Sequence, residues 1–216
     1  MLSKLRPRLK ILQNILATPF IVLRINPNLV SLLGLLLAII GAFFVFQQQW
    51  LFALIFFILA PTMDLIDGQV ARALKLKSNW GNYFETMIDK FVDFAMIGSF
   101  VFIPGLQIPS ILALGFSMLS SYAKPRVALI VITDNRDWPA IGEHADKLVI
   151  ILLGLLLVSL GVNTILEQNV LALALYLVAI ISFIGTLQRM SYAKKLILEA
   201  EKKGNLLPYI KKNKKR

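Results

Sequence analysis

The chain of 216 residues has no cysteine, one histidine and few acidic side chains. The absence of cysteine excludes a disulfide framework and thiol chemistry. The one histidine, His144, stands among polar residues at the predicted start of a helix, and we interpret it as a polar capping residue rather than a metal ligand. Asp and Glu number twelve against twenty-three Lys and Arg, so the positions of these few acids are informative.

Long apolar segments make up most of the chain. Hydrophobic residues make up 57% of the chain and its mean hydropathy is +0.73, values typical of an integral membrane protein. The formal net charge of +11 would suit a nucleic-acid-binding protein, but the distribution of the charges argues against that function. Basic residues concentrate at the two ends of the chain and in two connections between apolar segments. No nucleic-acid partner is therefore expected.

The order of the apolar segments predicts an all-α integral membrane protein with six transmembrane helices and an N-terminal interfacial amphipathic helix. We expect a single membrane domain over 1–216, in which the amphipathic helix occupies 1–24 and breaks near Pro19. The six-helix bundle occupies 29–193, and 194–216 forms a basic cytosolic tail. Predicted spans run over 29–46, from 51 into an acidic stretch, and over 81–104, 109–131, 143–160 and 170–193.

The basic connections orient this bundle in the membrane. The other three loops carry no Lys or Arg, and Glu167 is their only charge. Because basic loops of membrane proteins stay on the cytosolic side, both termini and the acidic stretch are predicted to face the cytosol. The basic ends are expected to contact anionic lipid.

Five of the twelve acids fall within residues 64–93, inside or beside segments apolar enough to enter the membrane. A carboxylate in a membrane span is expensive, so the default interpretation is a functional site. At helical spacing Asp64 and Asp67 share one face of a helix. Glu85, Asp89 and Asp93 share a face of the next. If the two helices run antiparallel the acidic faces meet, and cations such as Mg²⁺ or Mn²⁺ must neutralise them. The alternative is a buried ion-pair network that locks the helices together.

Two glycines and an arginine accompany the acids. Gly68 and Gly81 would let the backbone approach a flat or bulky ligand. Arg72 could pair a carboxylate or hold a phosphate. Carboxylates, metal, glycine and arginine together indicate a substrate that carries phosphates.

The motif Asp64-x2-Asp67-Gly68-x2-Ala71-Arg72-x8-Gly81-x3-Glu85-x3-Asp89 resembles the signature of the CDP-alcohol phosphotransferases, membrane enzymes of phospholipid synthesis. All eight specified positions have the spacing of the signature. The chain departs from it at Glu85, where the family usually has Asp, and the longer side chain changes the reach of one metal-ligating carboxylate. The motif covers about thirty residues.

The resemblance implies a two-metal mechanism in which an alcohol attacks a CDP-linked lipid and CMP is released. Two Mg²⁺ or Mn²⁺ ions would be held by Asp64, Asp67, Glu85 and Asp89, and Asp89 would also act as the general base. The cytidine and phosphate pocket would be formed by Asn28, Asp64, Gly68, Ala71, Arg72 and Gly81. Asn28 is the secondary candidate in this set, because Asn-Pro-Asn before a helix could equally be a helix cap.

Three further cations are expected to bind the phosphate of the acceptor: Lys124, Arg126 and Arg189. Lys124 and Arg126 lie deep in the fourth predicted span, where Pro125 is predicted to interrupt the helix, and Arg189 lies in the last turns of the sixth. For each, and for Lys147, the alternative is a side chain that extends to the membrane surface. The arrangement resembles the branch of the family that uses inositol 1-phosphate. Glycerol 3-phosphate and serine remain alternative acceptors, and diacylglycerol or archaeol chains are both possible.

The resemblance also implies a homodimer. A function of another class, a divalent cation transporter with the carboxylates as its ion pathway, stays open, as does a purely structural membrane protein. The acids cluster near one end of the spans, which does not favour a continuous polar route across the bilayer.

Overall fold

The structure is a computed structural model that describes residues 6–132, 138–139 and 141–207, with side chains from residue 13 onward. The described part is helical apart from a short hairpin. Seven α-helices follow one another along this part of the chain: α1 Arg6–Val22, α2 Pro27–Phe46, α3 Trp50–Ala73, α4 Asn79–Gly98, α5 Gln107–Ala128, α6 His144–Ser159 and α7 Val170–Lys202. A 3₁₀ turn, Ser99–Phe102, extends α4, and the hairpin pairs β1 Thr164–Ile165 with β2 Gln168–Asn169.

The helices form two compact units. The first lies within Met1–Pro104, with Val158–Gly161, and the second within Gly105–Leu157 and Val162–Arg216. In the first unit α2 packs against α3 and α4, and α1 packs against α3. In the second, α5 packs along α7.

Small residues set the close approach of α2 and α3. A Cβ on Gly34 would lie 3.0 Å from the carbonyl oxygen of Ala60, and a Cβ on Gly41 would overlap the ring of Phe57. Phe57 is fully buried against this surface. Small residues that bring backbones together are a common device of membrane helix pairs, which gain little from the hydrophobic effect inside lipid.

The caps of α2 and α4 place the first turns of both helices. The side chain of Asn26 accepts a hydrogen bond from the backbone N–H of Asn28, and Pro27 occupies the first helical position. Ser78 caps α4 by accepting from the N–H of Gly81 at 2.9 Å. Both are preferred N-terminal arrangements, because a side-chain oxygen or a missing N–H removes an unpaired backbone donor.

Two prolines predicted to interrupt helices do not do so. Pro19 lies inside α1, which continues to Val22, and Pro125 lies inside α5, which continues to Ala128. Each proline lacks one backbone donor but stands in the last turn, where little of the helix remains to be disrupted. α1 therefore ends three residues after Pro19, and α5 ends at Ala128, three residues before the predicted end of its span at 131.

The last helix is longer than predicted. It was expected to end at Ala193, but α7 extends through the first part of the predicted tail to Lys202. Gly204 follows with a positive φ of 67°, and its N–H bonds the carbonyl of Glu201. A glycine in the left-handed region is a frequent helix terminator, so the helix ends at its capping residue and not where its apolar character ends. The hairpin before α7 was not predicted.

Three of the described helices, Pro27–Phe46, Trp50–Ala73 and Val170–Lys202, are long and apolar enough to cross a membrane. The other predicted spans correspond to α4, α5 and α6, whose existence as helices is confirmed but which do not meet both measures. The all-helical prediction is thus confirmed, and the number of six spans stays a prediction.

The contact at Gly41 leads to a stability test. Gly41→Ala should lower the stability of the purified protein by about 1–2 kcal/mol, because overpacking against Phe57 outweighs the better helix propensity of alanine. Thermal unfolding in detergent, followed by circular dichroism, measures the change. Gly115→Ala in α5 is the matched control, since a Cβ there meets no described atom within 4 Å. Equal melting temperatures for the two variants would contradict the proposed packing.

Candidate active site

Three of the predicted metal-binding carboxylates come together in the first unit. Asp64 and Asp67 project from the last turns of α3, and Glu85 projects from α4. One oxygen from each lies within 4.8 Å of the others. Asp67 is buried with 2% of its surface exposed, whereas Asp64 and Glu85 are half-buried. The expectation that the acidic faces of the two helices meet is confirmed for these three residues.

The two oxygens of Asp67 have different surroundings. Its Oδ2 accepts a hydrogen bond from the hydroxyl of Ser31 on α2. Its Oδ1 is buried, and no hydrogen-bond partner for it is found within the described ranges. A buried carboxylate oxygen without a donor is costly, and repulsion from two neighbouring carboxylates adds to the cost. A bound cation would relieve both.

The donor set fits a hard divalent cation. All three ligand groups are carboxylates, which suit Mg²⁺ and Mn²⁺, and no sulfur or nitrogen ligand belongs to the group. Ser31 would serve as an outer partner that orients Asp67, as is usual for metal-ligating carboxylates. Ser31 was not among the site residues predicted from the sequence. A serine four residues after Pro27, facing the core of an otherwise apolar helix, was the available signal.

Asp89 and Asp93 continue the acidic face of α4 but lie outside the group of three. Asp89 is half-buried, one helical turn beyond Glu85, and its assignment as metal ligand and general base stays a prediction. Asp93 is buried and forms a salt bridge of 3.3 Å with Lys90, one turn earlier on the same helix. That pair gives Asp93 a structural partner of its own.

A polar cleft of about 410 Å³ adjoins the carboxylates. The first turns of α2 and α4 form two sides, and the last turns of α3 with the following connection form the rest. Helix N-termini carry partial positive charge and unpaired N–H groups, so this arrangement favours an anionic ligand. The lining residues are Pro27, Asn28, Ser31, Asp67, Gly68, Ala71, Arg72, Leu76, Lys77, Ser78, Asn79, Gly81, Asn82 and Glu85.

The cleft contains five of the six residues predicted for the nucleotide pocket: Asn28, Gly68, Ala71, Arg72 and Gly81. The sixth, Asp64, belongs to the neighbouring carboxylate group. The Asn-Pro-Asn turn had two interpretations, a helix cap and a part of the nucleotide pocket. Each applies to a different residue, because Asn26 caps the helix and Asn28 lines the cleft. Lys77 and Asn82 also line it, although they were not selected as site residues.

The helices α2 and α4 meet closely beside the cleft. A Cβ on Gly81 would lie 3.1 Å from the hydroxyl oxygen of Ser78 and 3.7 Å from Oδ1 of Asn28. Arg72 contributes the guanidinium of the cleft, and its Nε and Nη2 donate to Oε1 of Gln69 at 3.1 and 2.8 Å.

The three cations predicted for the acceptor lie in the second unit. Arg189 on α7 donates from Nη1 to the carbonyl and hydroxyl oxygens of Ser120, both at 2.7 Å, and from Nε to the carbonyl of Pro139 at 3.4 Å. Arg126 is exposed and lines an apolar groove between α5 and α7, whereas Lys124 is half-buried. Their role at an acceptor phosphate stays a prediction.

Asp146 and Lys147, in the first turn of α6, form different contacts. Lys147 is buried, and its ammonium donates to the hydroxyl of Ser117, so it does not extend to the surface as its alternative interpretation would require. Asp146 accepts from the N–H of Glu143 at 3.2 Å, an arrangement that caps the helix.

Helices long and apolar enough to cross a membrane, a carboxylate group that fits a divalent cation and an adjoining cleft suited to an anion together indicate a membrane protein that binds a phosphate compound with a metal. The sequence pattern described as CDP-alcohol phosphatidyltransferase matches residues 24–180, well over half of the chain. The chain therefore belongs to the CDP-alcohol phosphatidyltransferase family. It is an enzyme that transfers a phosphatidyl group with release of CMP, and the resemblance inferred from the motif is confirmed.

Individual relatives cover most of the chain. A Pyrococcus horikoshii protein named archaetidylinositol phosphate synthase is 28% identical over 200 residues, which are 90% of this chain and 97% of the relative. A Streptomyces avermitilis protein named phosphatidylinositol phosphate synthase is 30% identical over 191 residues, 82% of this chain and 75% of the relative.

Solved structures of Mycobacterium tuberculosis phosphatidylinositol phosphate synthase share the fold. The structure with CDP-DAG bound matches with a TM-score of 0.70 and 20% sequence identity. The match covers 84% of this chain and 92% of the synthase chain. The structure with manganese and citrate matches with a TM-score of 0.70 and 19% sequence identity. The match covers 84% of this chain and 88% of the synthase chain. This likeness supports a membrane-protein fold for the chain.

The hydrogen bond from Ser31 leads to a metal-binding prediction. Ser31→Ala should weaken Mn²⁺ binding by roughly 10-fold or more, because Asp67 loses the donor that orients it. Titration of Mn²⁺ into purified protein, with free Mn²⁺ followed by electron paramagnetic resonance, measures the affinity. Ser110→Ala is the control, since Ser110 is also a buried serine, in α5, and its hydroxyl donates to the carbonyl oxygen of Leu106 at 2.6 Å. Similar affinities in the two variants would show that Ser31 does not support a metal site.

Glu85 allows a second test of the carboxylate group. Glu85→Asp should retain activity with an altered preference between Mg²⁺ and Mn²⁺, because charge and oxygen ligands are kept while the reach shortens. Glu85→Gln should abolish most activity, because the negative charge is lost. CMP release measured with each metal distinguishes the variants. Near-normal activity in both would mean that Glu85 is not a metal ligand.

Proposed function

We propose that this enzyme transfers a phosphatidyl-type group from a CDP-linked lipid to inositol 1-phosphate, producing a phosphorylated inositol lipid and CMP. The observation that carries the proposal is the carboxylate group beside an anion-binding cleft. The choice of acceptor is supported by two relatives, covering 82–90% of the chain, that are named for inositol phosphate lipids.

The cleft has the groups that a CDP moiety requires. Arg72 and Lys77 supply positive charge, and the first turns of α2 and α4 supply the positive ends of two helix dipoles. Asn28 offers an amide that can donate to and accept from a pyrimidine base. Gly68 and Gly81 leave space where a side chain would narrow the cleft. These residues would hold the nucleotide and orient its diphosphate toward the carboxylates.

Asp64, Asp67, Glu85 and Asp89 would hold two Mg²⁺ or Mn²⁺ ions, which neutralise the diphosphate and the charge that develops on the leaving group. Asp89 is the candidate general base. Its carboxylate would take the hydroxyl proton of the acceptor as that oxygen bonds to the lipid-linked phosphorus. The bond from this phosphorus to the oxygen of CMP breaks, and CMP leaves with the electron pair.

An acceptor that already carries phosphate explains the cations of the second unit. Lys124, Arg126 and Arg189 would bind the phosphate of inositol 1-phosphate. The bonds from Arg189 to Ser120 and Pro139 fix the plane of its guanidinium, so less conformational entropy is lost when an anion binds.

We also propose the finer topology. α4 and α5, with 20 and 22 residues, are long enough to cross a bilayer, and their polar residues reflect site and packing functions. With α6 they complete six spans, with both termini and the cleft on the cytosolic side. The lipid donor would then enter from the bilayer and the acceptor from the cytosol, in a homodimer.

The acceptor is tested by CMP release from purified protein in detergent with Mg²⁺ and a CDP-linked lipid, supplied with diacylglycerol or archaeol chains. Release should depend on inositol 1-phosphate and exceed release with free inositol or serine by at least roughly 10-fold, because a site built for phosphate discriminates strongly against its absence. Glycerol 3-phosphate also carries phosphate, so it tests the fit of the inositol ring and should give less CMP release than inositol 1-phosphate. Release with glycerol 3-phosphate or serine alone would replace the acceptor and leave the reaction class intact.

The matched pair Asp89→Asn and Asp93→Asn controls the same assay. Asp89→Asn should remove nearly all CMP release, whereas Asp93→Asn should be milder because Asp93 is paired with Lys90. The reverse ranking would place the general base one helical turn further along α4.

A further inference from the structure

Arg72 supplies the guanidinium group of the cleft, and this group is hydrogen-bonded to a neutral side chain. Both Nε and Nη2 donate to the same oxygen, Oε1 of Gln69, one helical turn earlier on α3. A neutral amide orients the guanidinium without forming an ion pair with it, so hydrogen bonding to Gln69 leaves the charge of Arg72 available to an anionic ligand. Glu85 is close enough to interact electrostatically with Arg72.

The amide of Gln69 has its own partner. Arginine has no acceptor, so the oxygen of Gln69 must face Arg72 and its nitrogen must point away. That nitrogen donates to Oδ1 of Asn14, a residue of α1. The two contacts therefore agree on one orientation of the amide, and the chain Asn14–Gln69–Arg72 connects α1 to the cleft.

The helix that supplies Asn14 is anchored in the first unit. Ala17, about one turn beyond Asn14, is fully buried and packs with Val30 of α2 and with Ile66 and Val70 of α3. Asn14 itself is exposed at the edge of this contact. Because the anchor fixes the helix, the Asn14 amide is presented to Gln69 from a defined position.

We propose that Gln69 is a positioning residue for Arg72 and that the amphipathic helix α1, through Asn14, completes the donor-binding cleft. Gln69 occupies one of the unspecified positions of the family signature, so this role belongs to the chain and not to the motif. The proposal rests on the proposed role of Arg72 in binding the CDP moiety. It makes the affinity for nucleotide depend on a helix whose described side chains, from residue 13 onward, do not line the cleft.

CDP binding to the full-length protein in detergent with Mg²⁺, measured by isothermal titration calorimetry, tests this proposal. Arg72→Gln should weaken binding by at least roughly 10-fold, and Gln69→Met by roughly 3- to 10-fold, because Arg72 loses its orienting acceptor. Asn14→Leu should weaken binding by about 2- to 3-fold, and Asn14→Asp, which keeps the acceptor oxygen, should restore it. Gln47→Met is the control, a similar change at an exposed glutamine at the opposite end of α2.

The double variant separates positioning from mere attachment of α1. If Gln69 acts through Arg72, Gln69→Met should change the Kd for CDP by less than about 2-fold once Arg72→Gln is present. Additive effects, or an unchanged Kd in Gln69→Met alone, would overturn the proposal while leaving Arg72 as a ligand group. An unchanged Kd in Arg72→Gln would overturn the assignment of Arg72 itself and this proposal with it. A lowered melting temperature with unchanged Kd would show that the contact only attaches α1.

Discussion

Mutual repulsion among three carboxylates is the constraint on which the first unit depends. Asp64, Asp67 and Glu85 are held within 4.8 Å of one another, at least one of them buried, and such a group is stable only when a cation and surrounding donors compensate it. Ser31 supplies one donor from α2. The close packing of α2 on α3, made possible by small residues such as Gly34, places that hydroxyl against Asp67. Packing and site chemistry therefore depend on the same helix pair.

The cleft extends the same electrostatic arrangement. Carboxylates lie at one side of the cleft. The first turns of two helices, with Arg72 and Lys77, line its other parts. A metal-bound diphosphate has the complementary pattern, since its metals require anionic ligands and its remaining oxygens require donors. Membership of the CDP-alcohol phosphatidyltransferase family agrees with this pattern, which arises from helix caps and side chains that are close in space. The network Asn14–Gln69–Arg72 adds a contribution from outside the lining.

Sequence periodicity predicted the helices well, and their ends less well. Apolar runs predicted α2 to α7, because a segment in lipid must satisfy its own backbone hydrogen bonds, and an amphipathic pattern predicted α1. Prolines and loss of apolar character were poor guides to where helices stop. α1 and α5 pass Pro19 and Pro125 by three residues, and α7 continues to the glycine cap at Gly204. Capping and packing determine a helix end, and a hydropathy profile reports neither.

The sequence by itself determined the chemistry, since eight specified residues at set spacings place oxygen ligands, glycines and an arginine on two successive helices. Residue spacing within a helix follows from the geometry of one backbone, so these faces could be derived without coordinates. Only the tertiary structure decided which side chains from other helices complete the site. Ser31 of α2 and Asn14 of α1 lie 36 and 55 positions before their partners Asp67 and Gln69. Contacts at such separations depend on how helices pack, and no local periodicity in the sequence records that packing.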